Sequence, residues 1–158
     1  MTVEIRNVTP DDYNQIITIM PSWWGGRDLT SALLKIFFIH FQNSSFLATE
    51  GNKMIGFLIG FISQSNKYEA YIHLLGVDPN YRKKGVARSL YQEFYNVCKA
   101  SSISYVTSCT SPINIDSIEF HRKMGFEILE GDSIENGIEV TVDYLGNNSN
   151  KVLFRKKL

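Results

Sequence analysis

The chain predicts an α/β fold in the broad sense (α+β), with helices packed on a mixed sheet, and three observations carry that prediction. First, residues 46–48, 54–63 and 68–77 are apolar runs joined by the short polar turns Glu50-Gly51-Asn52-Lys53 and Gln64-Ser65-Asn66-Lys67. Strands joined so closely form an antiparallel meander. Second, the last of these runs passes through Asp78-Pro79-Asn80 into a long amphipathic pattern and then an alternating run at 104–110. A strand, a helix and a strand in that order pair in parallel with a right-handed crossover. Third, 158 residues, 44% apolar and 13% aromatic, fit one domain over 1–158 with a buried core rather than a disordered chain.

Charge and cysteine usage narrow the function classes. Sixteen basic and sixteen acidic residues cancel. A neutral chain gives no support for nucleic acid or a membrane surface as partner. The basic cluster Arg82-Lys83-Lys84 is therefore local, which favours a small anionic ligand. Cys98 and Cys109 form no CxxC pair and no metal-like spacing, so no metal is expected. Met1-Thr2-Val3-Glu4 opens a strand pattern rather than a signal peptide, and no apolar run approaches the ~20 residues of a membrane span. The expectation is a cytoplasmic protein with free thiols.

Along the chain, Val3, Ile5 and Val8 suggest a first strand over 2–7. Thr9 reads as an N-cap, with Pro10 first in the helix and Asp11 and Asp12 in its first turn. Tyr13, Ile16, Ile17 and Met20 share a helical face, and Pro21 is expected to end that helix. Trp23-Trp24-Gly25-Gly26-Arg27 follows. Its rings either fold back on the core or wall a substrate pocket, and Arg27 either meets an anionic acceptor group or caps the surface. A second helix is expected over 29–41, with Leu33, Leu34, Phe37, Phe38 and Phe41 inward and His40 structural at its C-terminal end. Gly56 and Gly60 within a strand mark close approach or relieve crowding.

The stretch 71–100 organises the rest. A strand ends at Val77. The turn then reads Arg82-Lys83-Lys84-Gly85-Val86-Ala87, and a helix follows with Leu90, Phe94 and Val97 on one face and Tyr91 and Cys98 beside them. Backbone N–H groups at a helix start lack intrahelical partners and the dipole is positive there, so such an end suits a pyrophosphate. Cys98 reads as a buried small residue rather than a nucleophile. Further on, Asn114 reads as an N-cap, Ile118, Phe120 and Met124 as core, and Gly125 as a helix terminator. Residues 126–129 return to strand. Residues 130–150 look irregular, with a strand possible over 138–142, and a last strand runs over 152–155.

These residues resemble the GCN5-related N-acetyltransferase (GNAT) superfamily. Residues 82–87 match its Arg/Gln-x-x-Gly-x-Gly/Ala acyl-CoA motif. Asn114, Phe120 and Gly125-Phe126 match its later Asn-x-x-Ala-x-x-Phe-Tyr-x-x-x-Gly-Phe segment, with Ser117 for Ala and His121 for Tyr. The resemblance implies a mixed sheet of about six or seven strands, a splayed parallel pair and about four helices. It implies acetyl-CoA as cosubstrate, lying between the 71–77 and 104–110 strands. The pyrophosphate would rest on Arg82, Lys83, Lys84, Gly85, Val86, Ala87 and Arg88, and the pantetheine on Leu75, Gly76 and Val77 main chain, flanked by Asn114 and Ser117. Gly76 would permit a bulge.

The implied reaction is direct acetyl transfer to a primary amine of a small molecule or peptide, with Trp23, Trp24 and Arg27 on the acceptor side. His121 is the candidate acid for the leaving thiolate, or else a half-exposed helix histidine. His73 is the candidate base by strand alternation, with Glu69 second. Dimers are frequent in the family, so a homodimer is possible. Two other readings stay open: a non-catalytic acyl-CoA-binding module, permitted by His121, and a nucleotide binder, which lacks the usual glycine motifs.

Overall fold

The computed structural model describes residues 2–25 and 30–158. The chain groups into two compact units, Met1–Ile62 with His73–Ser101, and Ser63–Ile72 with Ser102–Leu158. One seven-stranded sheet runs through the fold in the order β1-β2-β3-β4-β5-β9-β6, labels given with their ranges below.

In the first unit, β1 (Glu4–Asn7), β2 (Phe46–Glu50) and β3 (Lys53–Ile62) pair antiparallel, with a register shift between Ala48 and Thr49. The C-terminal part of β4 (Glu69–Val77) follows. Helices α1 (Tyr13–Trp23) and α2 (Ile36–His40) pack on this sheet around a core that includes Ile16, Met20, Trp23, Leu33, Phe38 and Phe57. Each such side chain, once buried, contributes about 1.5–3 kcal/mol. Helix α3 (Val86–Ala100) buries Leu90, Tyr91, Phe94 and Cys98. It approaches β3 closely at Gly56, where an added Cβ would stand 3.1 Å from Val86 Cγ1 and 3.2 Å from Leu90 Cδ1. Close approach is therefore the reason for glycine at that strand position.

Two expectations for this unit change. Pro21 lies inside α1 and does not end it. The proline forgoes its own bond to the carbonyl four residues back, and the helix closes two residues later with Trp23 buried and Trp24 N–H on the Pro21 carbonyl at 3.4 Å. The second helix, expected over 29–41, is helical only at Ile36–His40, with single 3₁₀ turns at Thr30–Ala32 and Gln42–Ser44. The segment Ile-Phe-Phe-Ile has poor helix propensity and Lys35 supplies no cap. Leu33 and Phe38 are buried as expected, whereas Leu34 is 51% exposed. Thr9 holds its place: its N–H donates to Asp12 Oδ2 at 2.8 Å, and Arg6 grips the same carboxylate with two bonds of 2.8 Å.

In the second unit, the N-terminal part of β4 pairs in parallel with β5 (Tyr105–Thr110), from Glu69↔Tyr105 to Ile72↔Ser108. This is the expected parallel pair. β9 (Val152–Lys157) lies antiparallel on β5, and β6 (Glu127–Ile128) on β9. Helix α4 (Ile115–Lys123) starts at Asn114, whose side chain accepts the Ser117 N–H at 3.2 Å, and Gly125 takes φ +91° after its end. The expected strand near 138–142 is one arm of a separate hairpin, β7 (Ser133–Glu135) with β8 (Ile138–Val140). Asn136 and Gly137 turn it with φ of 52° and 75°. Two left-handed residues are what a two-residue hairpin needs to match strand twist. Among the described residues no helix is long and apolar enough to cross a membrane.

Candidate functional site

The site begins where β4 ends. Asp78 Oδ1 accepts the Asn80 N–H at 2.9 Å, and its other oxygen meets Lys53 Nζ at 3.1 Å. This fixes the 3₁₀ turn Pro79–Tyr81. The chain then runs extended at Arg82, left-handed at Lys83 (φ 60°), and left-handed again at Gly85 (φ 84°) before α3 begins. A left-handed lysine is uncommon and marks a backbone held in an unusual shape. Gly85 has no side chain to cap α3, so no side chain bonds the first N–H groups of that helix, where the dipole is positive. A Cβ at Gly85 would meet nothing within 4 Å, so the space before the turn is open. Lys83, Lys84 and Arg88 are exposed around it. The Tyr81 ring lies between Lys53 Nζ at 4.9 Å and Lys84 Nζ at 5.3 Å. This geometry fits a pyrophosphate: open backbone donors, a helix start and three cations.

Arg82, the first residue of the motif, is engaged elsewhere. Its Nη2 donates to the Trp23 carbonyl and its Nε to the Val77 carbonyl at 3.4 Å. Trp23 itself is buried, its ring stacked on Phe57 at 6.1 Å and 23°. Trp24 is half-buried against the same ring at 6.2 Å. Of the two readings of this pair, Trp23 takes the core one. Arg27 lies outside the described residues.

The Phe57 ring also explains Gly76. An added Cβ there would stand 2.5 Å from Phe57 Cε1, so the glycine makes room for the ring. His73 stacks on Phe37 (4.8 Å, 20°), and the next residue, Leu74, packs on the α1–α2 core that Phe37 joins. His73 Nε2 lies 2.7 Å from the Ala32 carbonyl. A carbonyl only accepts, so Nε2 carries the proton and Nδ1 the lone pair. Burial lowers the His73 pKa, with the Ala32 bond opposing it, so the ring is neutral at pH 7.

His121 sits on α4 and is buried, not half-exposed. It stacks on Phe154 of β9 at 4.4 Å and 5°, and meets Phe126 edge-on at 5.2 Å. Nδ1 donates to the Ser117 carbonyl at 2.7 Å. Burial lowers its pKa as well. The Asn114 side chain is the α4 cap, and the Ser117 hydroxyl lies 3.3 Å from His121 Nδ1.

The second unit also carries a polar face. Thr107 Oγ1 donates to Glu69 Oε2 at 2.6 Å. Both line a cavity of about 160 Å³ with Tyr105, Tyr144 and Arg155. The Tyr71 hydroxyl lies 3.2 Å from Cys109 Sγ. Burial raises the pKa of both groups, and it pushes Cys98 up to about 12, so neither thiol is an activated nucleophile. The signal for this face was available: Glu69 and Tyr71 alternate on β4, as do Tyr105, Thr107 and Cys109 on β5.

A basic, doubly left-handed turn joins a strand to an uncapped helix on a mixed sheet. Comparison with known proteins gives the family. The sequence model of the acetyltransferase (GNAT) family matches residues 12–126, and the chain belongs to that family. Over 88 residues it is 28% identical to the L-2,4-diaminobutyric acid acetyltransferase of Halalkalibacterium halodurans, a match covering 56% of this chain and 47% of that protein. The match therefore spans about half the relative's length. Ard1 from Thermoplasma volcanium superposes with a TM-score of 0.80 at 23% identity, covering 100% of this chain and 99% of that one. Naa50 of Arabidopsis thaliana, solved with the bisubstrate analogue CoA-Ac-MVNAL, superposes at 0.76 with 19% identity over all of both chains. At these identities the structural likeness carries the fold alone.

Proposed function

We propose that this chain is an acetyl-CoA-dependent N-acetyltransferase that moves the acetyl group directly to a primary amine of a small molecule or peptide. The observation that carries the reading is the turn 82–88, with left-handed Lys83 and Gly85 opening onto the uncapped start of α3. Family membership and relatives acting on diaminobutyrate or solved with a peptide analogue support it. Acetyl-CoA supplies the acetyl group as a thioester. The N–H groups of 83–88 with Lys83, Lys84 and Arg88 hold its pyrophosphate, and the main chain of Leu75, Gly76 and Val77 aligns its pantetheine as an added strand. An N–H near Leu75 or Gly76 polarises the thioester carbonyl, a contact worth roughly 3 kcal/mol. Holding two reactants together supplies about 7–11 kcal/mol more. His73 takes the acceptor proton at Nδ1, its ring fixed by Ala32 and Phe37. Trp24 and Arg27 serve the acceptor. His121 with Asn114 and Ser117 joins on the family resemblance. Its neutral ring sets α4 on Phe154, and donation to a thiolate would require a second proton on Nε2.

The test has two stages. Isothermal titration with acetyl-CoA, free CoA and ATP should give micromolar binding of acetyl-CoA and little of ATP. Thiol release should then appear with one member of an amine panel that includes L-2,4-diaminobutyrate and a peptide with a free N-terminus. Replacing His73 by Ala should lower kcat and remove the acid limb of the pH profile below about 6.5. An unchanged profile would take His73 out of the mechanism. The buried, tethered state of His121 favours one second reading, a module that binds acetyl-CoA without turnover. Binding with no thiol release across the panel would select it.

A further inference from the structure

Arg82 stands first in the basic turn, yet its guanidinium joins two carbonyls 5 and 59 residues away in sequence. One ends β4 at Val77; the other ends α1 at Trp23. Trp23 and Trp24 lean on Phe57, and Phe57 lies on Gly76, next to Val77. A closed circuit results within the first unit: Arg82, the end of α1, Phe57, the end of β4, and back to Arg82. A planar guanidinium with several fixed donors suits such a double tie. Arg82 is exposed like its neighbours Lys83 and Lys84, but its Nε and Nη2 are bonded to these two carbonyls.

We infer that the basic turn is divided in function. Lys83, Lys84 and Arg88 serve the pyrophosphate, whereas Arg82 is a positioning residue for the Trp23–Trp24 segment and so for the acceptor. This rests on the acetyltransferase reading for what the segment does, but the tie itself is tested without it. Trp23 and Trp24 are the two tryptophans of the chain, so emission excited selectively at tryptophan, beyond tyrosine absorption, reports on this segment.

The experiment compares Arg82→Gln with Lys84→Gln. In Arg82→Gln, tryptophan emission should shift to the red and acrylamide quenching should rise, while the acetyl-CoA Kd by titration calorimetry stays within about threefold of wild type. In Lys84→Gln, emission should stay as in wild type while acetyl-CoA binding weakens. With the fastest amine of the panel, Arg82→Gln should raise KM for the amine on the order of tenfold, the equivalent of one charge-assisted hydrogen bond, and leave KM for acetyl-CoA in place. If Arg82→Gln does not fold, Arg82→Met carries the test, since it keeps the apolar stem but has no donor for either carbonyl: emission should shift at constant Kd. Wild-type emission in the Arg82 variant that folds, or loss of its acetyl-CoA binding, overturns the inference. Absence of acetyl-CoA binding in the wild type sinks the acetyltransferase reading and leaves the emission result to stand on its own.

Discussion

Replacing Gly76 by Ala adds one methyl group directly against the Phe57 ring. The new carbon would lie 2.5 Å from Phe57 Cε1 and 2.9 Å from Cζ. Carbon atoms in contact prefer about 3.5–4.0 Å, so the ring must retreat by about 1 Å. It has little room: Phe57 is fully buried, with Trp23 stacked on it and Trp24 tilted against it. Overpacking of this kind costs about 1–3 kcal/mol, and the stacked ring places the cost in the upper half of that range. For a chain of this size that is a fall in Tm of about 4–12 °C. The assay is urea unfolding of wild type, Gly76→Ala, Phe57→Leu and the double variant. Phe57→Leu alone loses ring contacts and should cost about 1–3 kcal/mol. In the double variant the smaller side chain receives the methyl, so the two costs should fall short of their sum by about 1–2 kcal/mol. Strict additivity, or an alanine variant as stable as wild type, would refute the claim that Phe57 dictates glycine at position 76. Acetyl-CoA titration of the same set should show weaker binding in Gly76→Ala and partial recovery in the double variant, because the Leu75–Val77 main chain moves with the ring.

Further outcomes follow from the titrating groups. The Arg6 pair is the main cause of a lowered Asp12 pKa, so its stabilisation is present above the usual carboxylate value near 4 and is lost as pH falls through the lower folded value. Asp12→Asn should therefore cost about 1 kcal/mol at pH 7, discounted because Arg6 is half-exposed, and that difference from wild type should vanish in acid. A constant difference down to pH 2 would contradict it. His73 and His121 have folded pKa values below 6.5, so their unfolded forms bind protons first and stability drops as pH falls below about 6.5. The slope approaches about 1.4 kcal/mol per pH unit for each histidine. His121→Phe, which can keep the stack on Phe154, should remove about half of that slope between pH 6.5 and 5 in urea midpoints. An unaltered slope would mean that His121 does not stay neutral. Gly85→Ala should weaken acetyl-CoA binding through strain at φ 84° while meeting no steric clash.

What the sequence disclosed and what it hid divide along a physical line. Runs whose partners are near in sequence were legible: the β2–β4 meander, the turn with Gly85, the Asn114 cap and the Gly125 stop each depend on a few adjacent residues. The α2 region was not, because the apolar spacing of residues 33–41 suits a helix while its β-branched and aromatic residues resist one. Asn136-Gly137 was a legible hairpin signal that the polar surroundings of 130–150 obscured. In the candidate site, the backbone turn was readable and the side-chain partners were not. Nothing local ties Arg82 to Trp23, His121 to Phe154 or Gly76 to Phe57, since each pair meets only through the tertiary fold.

The placement of β9 has a consequence for how the protein is made. β5 is complete at Thr110, but the strand that covers its free edge begins at Val152, about 40 residues later. At synthesis rates of about 5–20 residues per second, that edge waits roughly 2–8 seconds before its partner leaves the ribosome. An unpaired strand edge is a template for the wrong neighbour. The six register pairs from Tyr105↔Lys157 to Thr110↔Val152 thus form late, and crowded or rapid expression should expose this ladder to misassembly.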